Sequence, residues 1–166
     1  MKISKFHTLT AGSILLCLST LTQAVDFSTS RTVPSVFADA VLRSIPLNDA
    51  GSTELSVFIN STATRLVLFN AECSVSAADT LTWYDINLQI ISPTGVVTTL
   101  APSNNDNAFC TSHGNNVQQN WSSNETNGVF FPSVSGVYRV RVQGQLIGFS
   151  AGESVRIDDI SLVITQ

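Results

Sequence analysis

Hydrophobic residues recur at every second position along several stretches of this chain. Between residues 82 and 91 apolar and polar side chains alternate, and the apolar ones are Tyr84, Ile86, Leu88 and Ile90. Residues 136–145 alternate in the same way, with Tyr138, Val140 and Val142 opposite Arg139, Arg141 and Gln143. Since successive side chains of a β-strand point to opposite faces, each stretch predicts a strand with one buried and one wet face. Such strands are typical of antiparallel sheets.

Further apolar runs predict strands at 55–60, 66–73, 96–100, 129–131 and 155–164. Turn-forming residues separate the runs, at 48–51, 92–95 and 148–152. Only Val36 to Arg43 could form a helical turn, and the asparagine-rich segment 103–128 predicts a long loop. The spacing of strands and turns predicts an all-β fold. We expect residues 25–166 to form a single antiparallel β-sandwich domain of jelly-roll type.

The first 24 residues differ from the rest of the chain. Lys2 and Lys5 precede an apolar run at 9–21, and Thr22-Gln23-Ala24 ends in a small residue. This order is typical of a secretory signal peptide, so we expect residues 1–24 to be removed and the mature protein to be secreted or periplasmic. A membrane-spanning helix needs about 20 apolar residues, whereas this run is shorter and contains several hydroxyl residues. We therefore expect no membrane insertion after cleavage.

Two cysteines lie beyond this leader, Cys73 and Cys110. An even pair in an exported chain predicts one disulfide bond. A loop of this length gives a stabilisation of about 3–4 kcal/mol in the chain-entropy estimate. A metal site is the alternative, but the cysteines and His113 lack the close C-x-x-C spacing that zinc prefers.

Charge and composition exclude several functions. The chain has 8 basic and 12 acidic residues, and its only two lysines lie in the predicted leader. The mature domain is therefore acidic and lysine-free, which argues against binding to nucleic acid or to anionic lipid. Its polar residues are mostly serine, threonine and asparagine. These neutral hydrogen-bonding groups suit sugars or other copies of the same chain.

The stretch Gly148-Phe149-Ser150-Ala151-Gly152 matches the G-x-S-x-G motif of serine hydrolases. That motif requires a strand–turn–helix context and a histidine later in the chain. Here His113 precedes Ser150, and a strand is predicted to follow the motif. We interpret the segment as a hairpin loop and expect no enzymatic activity.

Polar residues on the 82–91 strand form a candidate binding face. Trp83, Asp85, Asn87 and Gln89 occupy one side of the strand at a spacing of about 7 Å. An aromatic ring can pack on the apolar face of a sugar, while carboxylate and amide groups bind its hydroxyls. We interpret this face as a glycan-binding surface, with Trp121 from the long loop as a further aromatic. The alternative is that a neighbouring loop simply covers Trp83.

The apolar pattern changes register at Asp158 and Asp159. Val155 and Ile157 precede the pair, whereas Ile160 and Leu162 follow it. This predicts a β-bulge that could aim both carboxylates at one cation such as Ca²⁺. An edge-strand charge pair or a turn cap are the alternatives. The residues Asn104, Asn105, Asp106 and Asn107 also carry oxygen ligands, but without the spacing of a calcium loop. No other cofactor is expected.

Two partial resemblances accompany these patterns. The stretch Arg156-Ile157-Asp158-Asp159-Ile160-Ser161-Leu162 resembles the I-D-D-x-S-L close of jelly-roll carbohydrate-binding modules. That resemblance covers about one strand and implies a jelly roll in which the aspartate helps to hold a structural calcium. Most of the mature chain resembles small exported bacterial domains with no assigned activity, through Phe69-Asn70-Ala71-Glu72-Cys73, residues 83–90, Phe109-Cys110 and the Asp-Asp strand.

Together these features favour a secreted, non-catalytic binding module that recognises glycan or cell-surface polysaccharide on an exposed sheet face. The alternative is a structural or adhesive extracellular surface component that self-associates, since unpaired strand edges can support assembly.

Overall fold

The computed structural model describes residues 26–101, 108–116 and 120–165. This part of the chain consists of strands and connecting turns. The strands are β1 (Phe27–Arg31), β2 (Ser35–Phe37), β3 (Arg43–Ser44), β4 (Leu55–Ile59), β5 (Arg65–Ser76), β6 (Trp83–Ile91), β7 (Val97–Ala101), β8 (Ala108–Thr111), β9 (Ser122–Phe130), β10 (Gly136–Ile147) and β11 (Ser154–Ile164). Among these residues, no helix has the length and apolar character needed to cross a membrane.

The strands form two antiparallel sheets packed face to face. Sheet 1 has the order β1-β11-β5-β9, with β2 also paired to β11. Sheet 2 has the order β3-β10-β6-β7, with β4 also paired to β10 and β8 to β6. From β4 onwards each connection crosses to the other sheet, except the connections from β6 to β7 and from β7 to β8, which stay in sheet 2. This is the strand order of a jelly roll, and it confirms the predicted antiparallel β-sandwich.

The core lies between the inner faces of the two sheets. In β6, Tyr84, Ile86, Leu88 and Ile90 are all buried, as the alternation predicts. The inward residues of β5, in the opposite sheet, pack against them, as do those of β10, the neighbouring strand. Full burial of an aliphatic or aromatic side chain stabilises a fold by about 1.5–3 kcal/mol. The period-two pattern therefore indicates correctly which face of each long strand is buried.

A disulfide bond crosses this core. Cys73 belongs to β5 of sheet 1 and Cys110 to β8 of sheet 2, and their Cα atoms are 6.4 Å apart. Both cysteines are buried. The predicted pairing is confirmed, and it joins the two sheets covalently.

The prediction of one long loop over 103–128 is wrong, because β8 and β9 fall within it. Strand β9 is at the edge of sheet 1 and pairs only with β5 among the described strands. Its inward residues Ser122, Asn124 and Thr126 are polar and half-buried. Because neither face is apolar before Gly128, the strand carries no period-two signal.

Two further local predictions are wrong. The helical turn at 36–43 is absent, since Val36 and Phe37 belong to β2 and Arg43 to β3. The 148–152 segment is not a hairpin, because β10 lies in sheet 2 and β11 in sheet 1. It is instead a turn that links the two sheets.

Some predictions fall outside the described residues. They are the signal peptide at 1–24 and the oxygen-rich stretch Asn104 to Asn107. Both stay predictions from the sequence.

A glycine in β10 makes room for the largest buried side chain. A Cβ at Gly144 would overlap the Tyr84 side chain at its hydroxyl end. The Tyr84 ring also stacks on Phe37, with centroids 5.8 Å apart. Its hydroxyl has no hydrogen-bond partner among the described residues, and burial raises the pKa of this phenol above its ordinary value. Position 144 therefore has no room for a larger side chain than that of glycine.

We predict that Gly144→Ala lowers the free energy of unfolding by at least about 2 kcal/mol, because a new methyl group would overpack the core. Equilibrium urea unfolding followed by fluorescence measures this change. In a Tyr84→Leu background, Gly144→Ala should lower the free energy of unfolding by clearly less, because the clashing phenol is gone. Strictly additive effects of the two substitutions would contradict the steric explanation.

Candidate functional site

Eight side chains form a polar surface on the outer face of sheet 2. Strand β6 contributes the predicted residues Trp83, Asp85, Asn87 and Gln89. The register of β10 places one side chain directly beside each, and these are Ile147, Gln145, Gln143 and Arg141. Directly paired residues of adjacent strands point to the same face. This surface is termed the amide face, because half of its residues carry a primary amide.

Hydrogen bonds order several side chains of the amide face. The indole N–H of Trp83 donates to Oδ1 of Asp85 at 2.6 Å. Nε of Arg141 donates to Oε1 of Gln89 at 2.8 Å. Nε2 of Gln145 donates to the carbonyl oxygen of Ala40 at 2.7 Å, so the segment before β3 borders the face. The four predicted β6 residues thus lie together, and sugar binding by them stays a prediction.

The structure separates Trp121 from these four residues. Trp121 directly precedes β9 of sheet 1, and the guanidinium Cζ of Arg156 lies 5.2 Å from the centroid of its ring. Arg156 belongs to β11, also in sheet 1. A cation over an aromatic ring is attracted to the ring's electron-rich face. Trp121 therefore packs against Arg156 on the other sheet and does not join the amide face.

The predicted bulge at Asp158 and Asp159 is confirmed. The pairing of β11 with β5 moves from Asp158 opposite Glu72 to Ser161 opposite Asn70, so two residues of β11 oppose one of β5. Asp159 has a φ of 43°, in the left-handed region that aspartate tolerates better than most residues. Its backbone N–H donates to Oδ1 of Asp158 at 3.0 Å.

The same bulge does not resemble a calcium centre. The second carboxylate oxygen of Asp158 accepts a hydrogen bond from Nη2 of Arg156 at 3.3 Å. Arg156 thus lies where a cation held by Asp158 would bind. Within the ranges that the structure describes, no group of three or more His, Cys, Asp or Glu residues could hold a metal ion. The calcium prediction at Asp158 and Asp159 therefore rests on the sequence alone.

The G-x-S-x-G segment forms the turn between β10 and β11. Gly148 and Gly152 adopt φ values of 70° and 92°. The backbone N–H of Ser150 donates to Oε2 of Glu153 at 2.6 Å, and the hydroxyl of Thr82 donates to the same oxygen at 3.1 Å. These bonds tie the turn to the residue before β6. A strand follows Ser150, so the segment lacks the strand–turn–helix geometry of a nucleophile elbow.

The end of the sandwich opposite this turn carries exposed apolar side chains. Phe58 of β4 pairs directly with Val137 of β10, and Val97 of β7 pairs with Ile91. Other exposed residues border the same end, where β6 turns into β7 and β9 leads into β10. The surface termed the apolar end consists of Phe58, Val96, Val97, Val129, Phe131, Val134 and Val137.

A groove of about 360 Å³ opens at this end, between the edges of the two sheets. One wall comes from β7 and the turn before it, through Val96, Thr98 and Leu100. The other wall includes Val129 and Phe131. The buried side chains at its base are Ile90, Phe130 and Tyr138.

Sequence reasoning missed the apolar end and the β10 half of the amide face. The alternation of Arg139, Arg141 and Gln143 was visible, but the strand beside them was not. Apart from the adjacent Val96 and Val97, the exposed apolar residues occur singly in the sequence, and single surface hydrophobics are common. The consecutive residues Phe130 and Phe131 were a local signal, because successive strand side chains point to opposite faces and only one of the two can face the core.

No protein-family profile and no curated protein matches this sequence. Solved structures of similar fold include proteins of infectious bursal disease virus. The structure of virus-derived T=1 particles matches with a TM-score of 0.54 and 12% identity, over 93% of this chain and 36% of that chain. The Gx strain structure matches with a TM-score of 0.52 and 12% identity, over 86% and 32%. The Gt strain structure matches with a TM-score of 0.50 and 13% identity, over 87% and 33%.

This likeness concerns the fold alone, because the sequence identity is low. The chain spans about a third of the length of these viral proteins.

We predict that Asp159→Gly leaves the free energy of unfolding unchanged or raises it by up to about 1 kcal/mol, because glycine adopts a positive φ without strain. Asp159→Val should lower it by about 1–3 kcal/mol, since a β-branched residue is strained there. Urea unfolding of both variants measures the difference. Equal losses in the two variants would show instead that the Asp159 carboxylate stabilises the bulge.

Proposed function

We propose that this chain is an exported, non-catalytic structural domain that associates with further copies of itself through the apolar end. The observation that carries this proposal is that seven exposed apolar side chains lie toward one end of the sandwich, and that Val96, Val129 and Phe131 among them line one groove. Exposed apolar patches of several hundred Å² on a monomer mark interaction surfaces. Burying them between copies would remove this area from water.

The edges of the sheets support the same proposal. Among the described strands, β7 and β9 are terminal in their sheets and flank the groove. Proteins often protect edge strands with lysine or proline, and neither residue occurs in β7 or β9. Main-chain pairing of either strand with a second chain would add to the apolar contact.

The viral structures of similar fold add support by analogy. One of them is described as a structure of virus-derived T=1 particles, so a protein that contains a domain of similar fold forms particles. A buried disulfide supports an oxidising compartment outside the cytoplasm.

The proposal predicts concentration-dependent association that depends on the apolar end. Residues 25–166 would be studied by sedimentation velocity at micromolar to millimolar concentrations. The variant Phe58→Ser/Val97→Ser/Phe131→Ser should weaken association by at least about tenfold, because it removes apolar area from the contact.

A matched control is Val36→Ser/Leu42→Ser/Leu81→Ser. These residues are 60%, 46% and 69% exposed, against 61%, 47% and 73% for the three at the apolar end. The control should associate like the unaltered protein. A monomer at all concentrations, or equal weakening by both triple variants, would contradict the proposal.

Glycan binding by the amide face is the second candidate function. The observation that favours it is the register, which sets two rows of polar side chains beside Trp83 and Ile147. Side-chain amides donate and accept hydrogen bonds, as sugar hydroxyls require. A neutral polysaccharide could lie along the rows.

This second candidate predicts a Trp83-dependent interaction. Residues 25–166 should bind at least one member of a polysaccharide panel, and Trp83→Ala should weaken that binding by at least about tenfold through loss of a stacking surface. Trp121→Ala, on the other sheet, is the matched control and should bind normally. Absence of binding across the panel, or equal loss in both variants, would contradict this function.

A further inference from the structure

The groove at the apolar end has a rigid base. The Phe130 and Tyr138 rings lie 5.6 Å apart at its bottom. The hydroxyl of Tyr138 donates to the carbonyl oxygen of Val134 at 2.9 Å. This bond holds the connection from β9 to β10, which carries Phe131. Tyr138 therefore contacts both the base of the groove and the connection that carries Phe131.

Phe131 projects from this rim instead of filling the groove. It lines the groove wall, yet 73% of its surface is exposed. The same surface therefore carries a projecting aromatic ring and an apolar groove in which such a ring can bind. A volume of about 360 Å³ lies within the usual range of about 300–1,000 Å³ for pockets that bind small groups.

We propose that two copies of this chain form a two-fold symmetric dimer in which Phe131 of each copy inserts into the groove of the other. The proposal rests on the proposed self-association and identifies its contact. A two-fold axis brings the same surface of each copy together, so both insertions occur at once and the contact closes. Val96 and Val129, on opposite walls, would surround the inserted ring.

Charge favours a second copy as the occupant. The chain has an excess of acidic residues, so two copies repel each other over much of their surface. The groove lining contains no Asp, Glu, Lys or Arg among the described residues. Insertion into the groove therefore places no charged side chain of its lining next to a like charge. Such a contact also avoids the cost of burying an unpaired charge.

The contact would combine the groove with the strand edges beside it. A stable interface buries about 800 Å² on each partner. Val96, Val129 and Phe131 around the groove and the edges of β7 and β9 would contribute to such an interface. Aromatic side chains that enter a partner's pocket commonly carry much of an interface's binding energy.

Two single variants test the two halves of this contact. Phe131→Ser removes the projecting ring and leaves the groove open. Thr98→Trp fills the groove from an exposed position on β7 and leaves Phe131 in place. By sedimentation equilibrium, each variant alone should have a dimer Kd raised by more than about 30-fold. Circular dichroism and urea unfolding check that both remain folded.

Mixing the two variants gives the decisive result. In a mixed dimer, Phe131 of the Thr98→Trp copy can enter the open groove of the Phe131→Ser copy. An equimolar mixture should therefore dimerise more tightly than either variant alone, yet less tightly than the unaltered protein. A mixture that stays as weak as its components would overturn the proposal.

Other outcomes separate this inference from the proposed function. If both single variants associate like the unaltered protein while the triple apolar-end variant does not, self-association stands and the insertion contact is wrong. If the unaltered protein is monomeric at all concentrations, both the proposed self-association and the insertion contact are wrong. A monomer that binds decanoate in isothermal titration, with binding lost in Thr98→Trp, would show that the groove holds a small apolar ligand and overturn the dimer.

Discussion

The structure depends on the burial of one face of each sheet against the other. Every long strand presents alternate side chains to the shared core, and the Cys73–Cys110 bond crosses that core between β5 and β8. Close packing leaves no space for an added group, as Gly144 beside Tyr84 demonstrates. Polar and reactive groups are therefore largely confined to the outer faces, the turns and the strand edges. In the part of the chain that the structure describes, these are the surfaces open to a partner.

The outer surfaces divide into chemically different regions. The amide face of sheet 2 offers hydrogen-bonding groups on a flat surface, held by pairs such as Trp83 with Asp85. The apolar end offers area that is costly to leave in water and a groove without charge. The turn that contains Ser150 uses its buried carboxylate, Glu153, to connect the sheets. The proposed self-association uses the apolar end and the neighbouring strand edges, and Val137 of the apolar end continues the β10 row of the amide face.

Much of the fold follows from local patterns. The alternation in residues 82–91 and 136–145 predicts both strands and their buried faces, because burial acts on every second side chain. The change of apolar register at Asp158 predicts the bulge for the same reason, and the cysteine pair predicts its bond. The polar part of edge strand β9 before Val129 was missed because it buries little apolar surface and lacks the alternation, whereas its apolar end was predicted as a strand at 129–131. The short strands β1, β2, β3 and β8 are likewise defined by pairing with longer neighbours, so their sequences carry little signal.

The sequence by itself determined the all-β class, the inward faces of the main strands, the disulfide and the acidic, lysine-free composition of residues 25–166, since each depends on residue type or on period-two spacing. The tertiary structure decided which residues from distant segments become neighbours. It placed Gln143 and Gln145 beside Asn87 and Asp85, and it moved Trp121 to the other sheet. It also gathered apolar residues from four strands and a turn around one groove. Register and sheet order arise from long-range pairing between segments, and a periodic pattern within one segment contains no information about its partner.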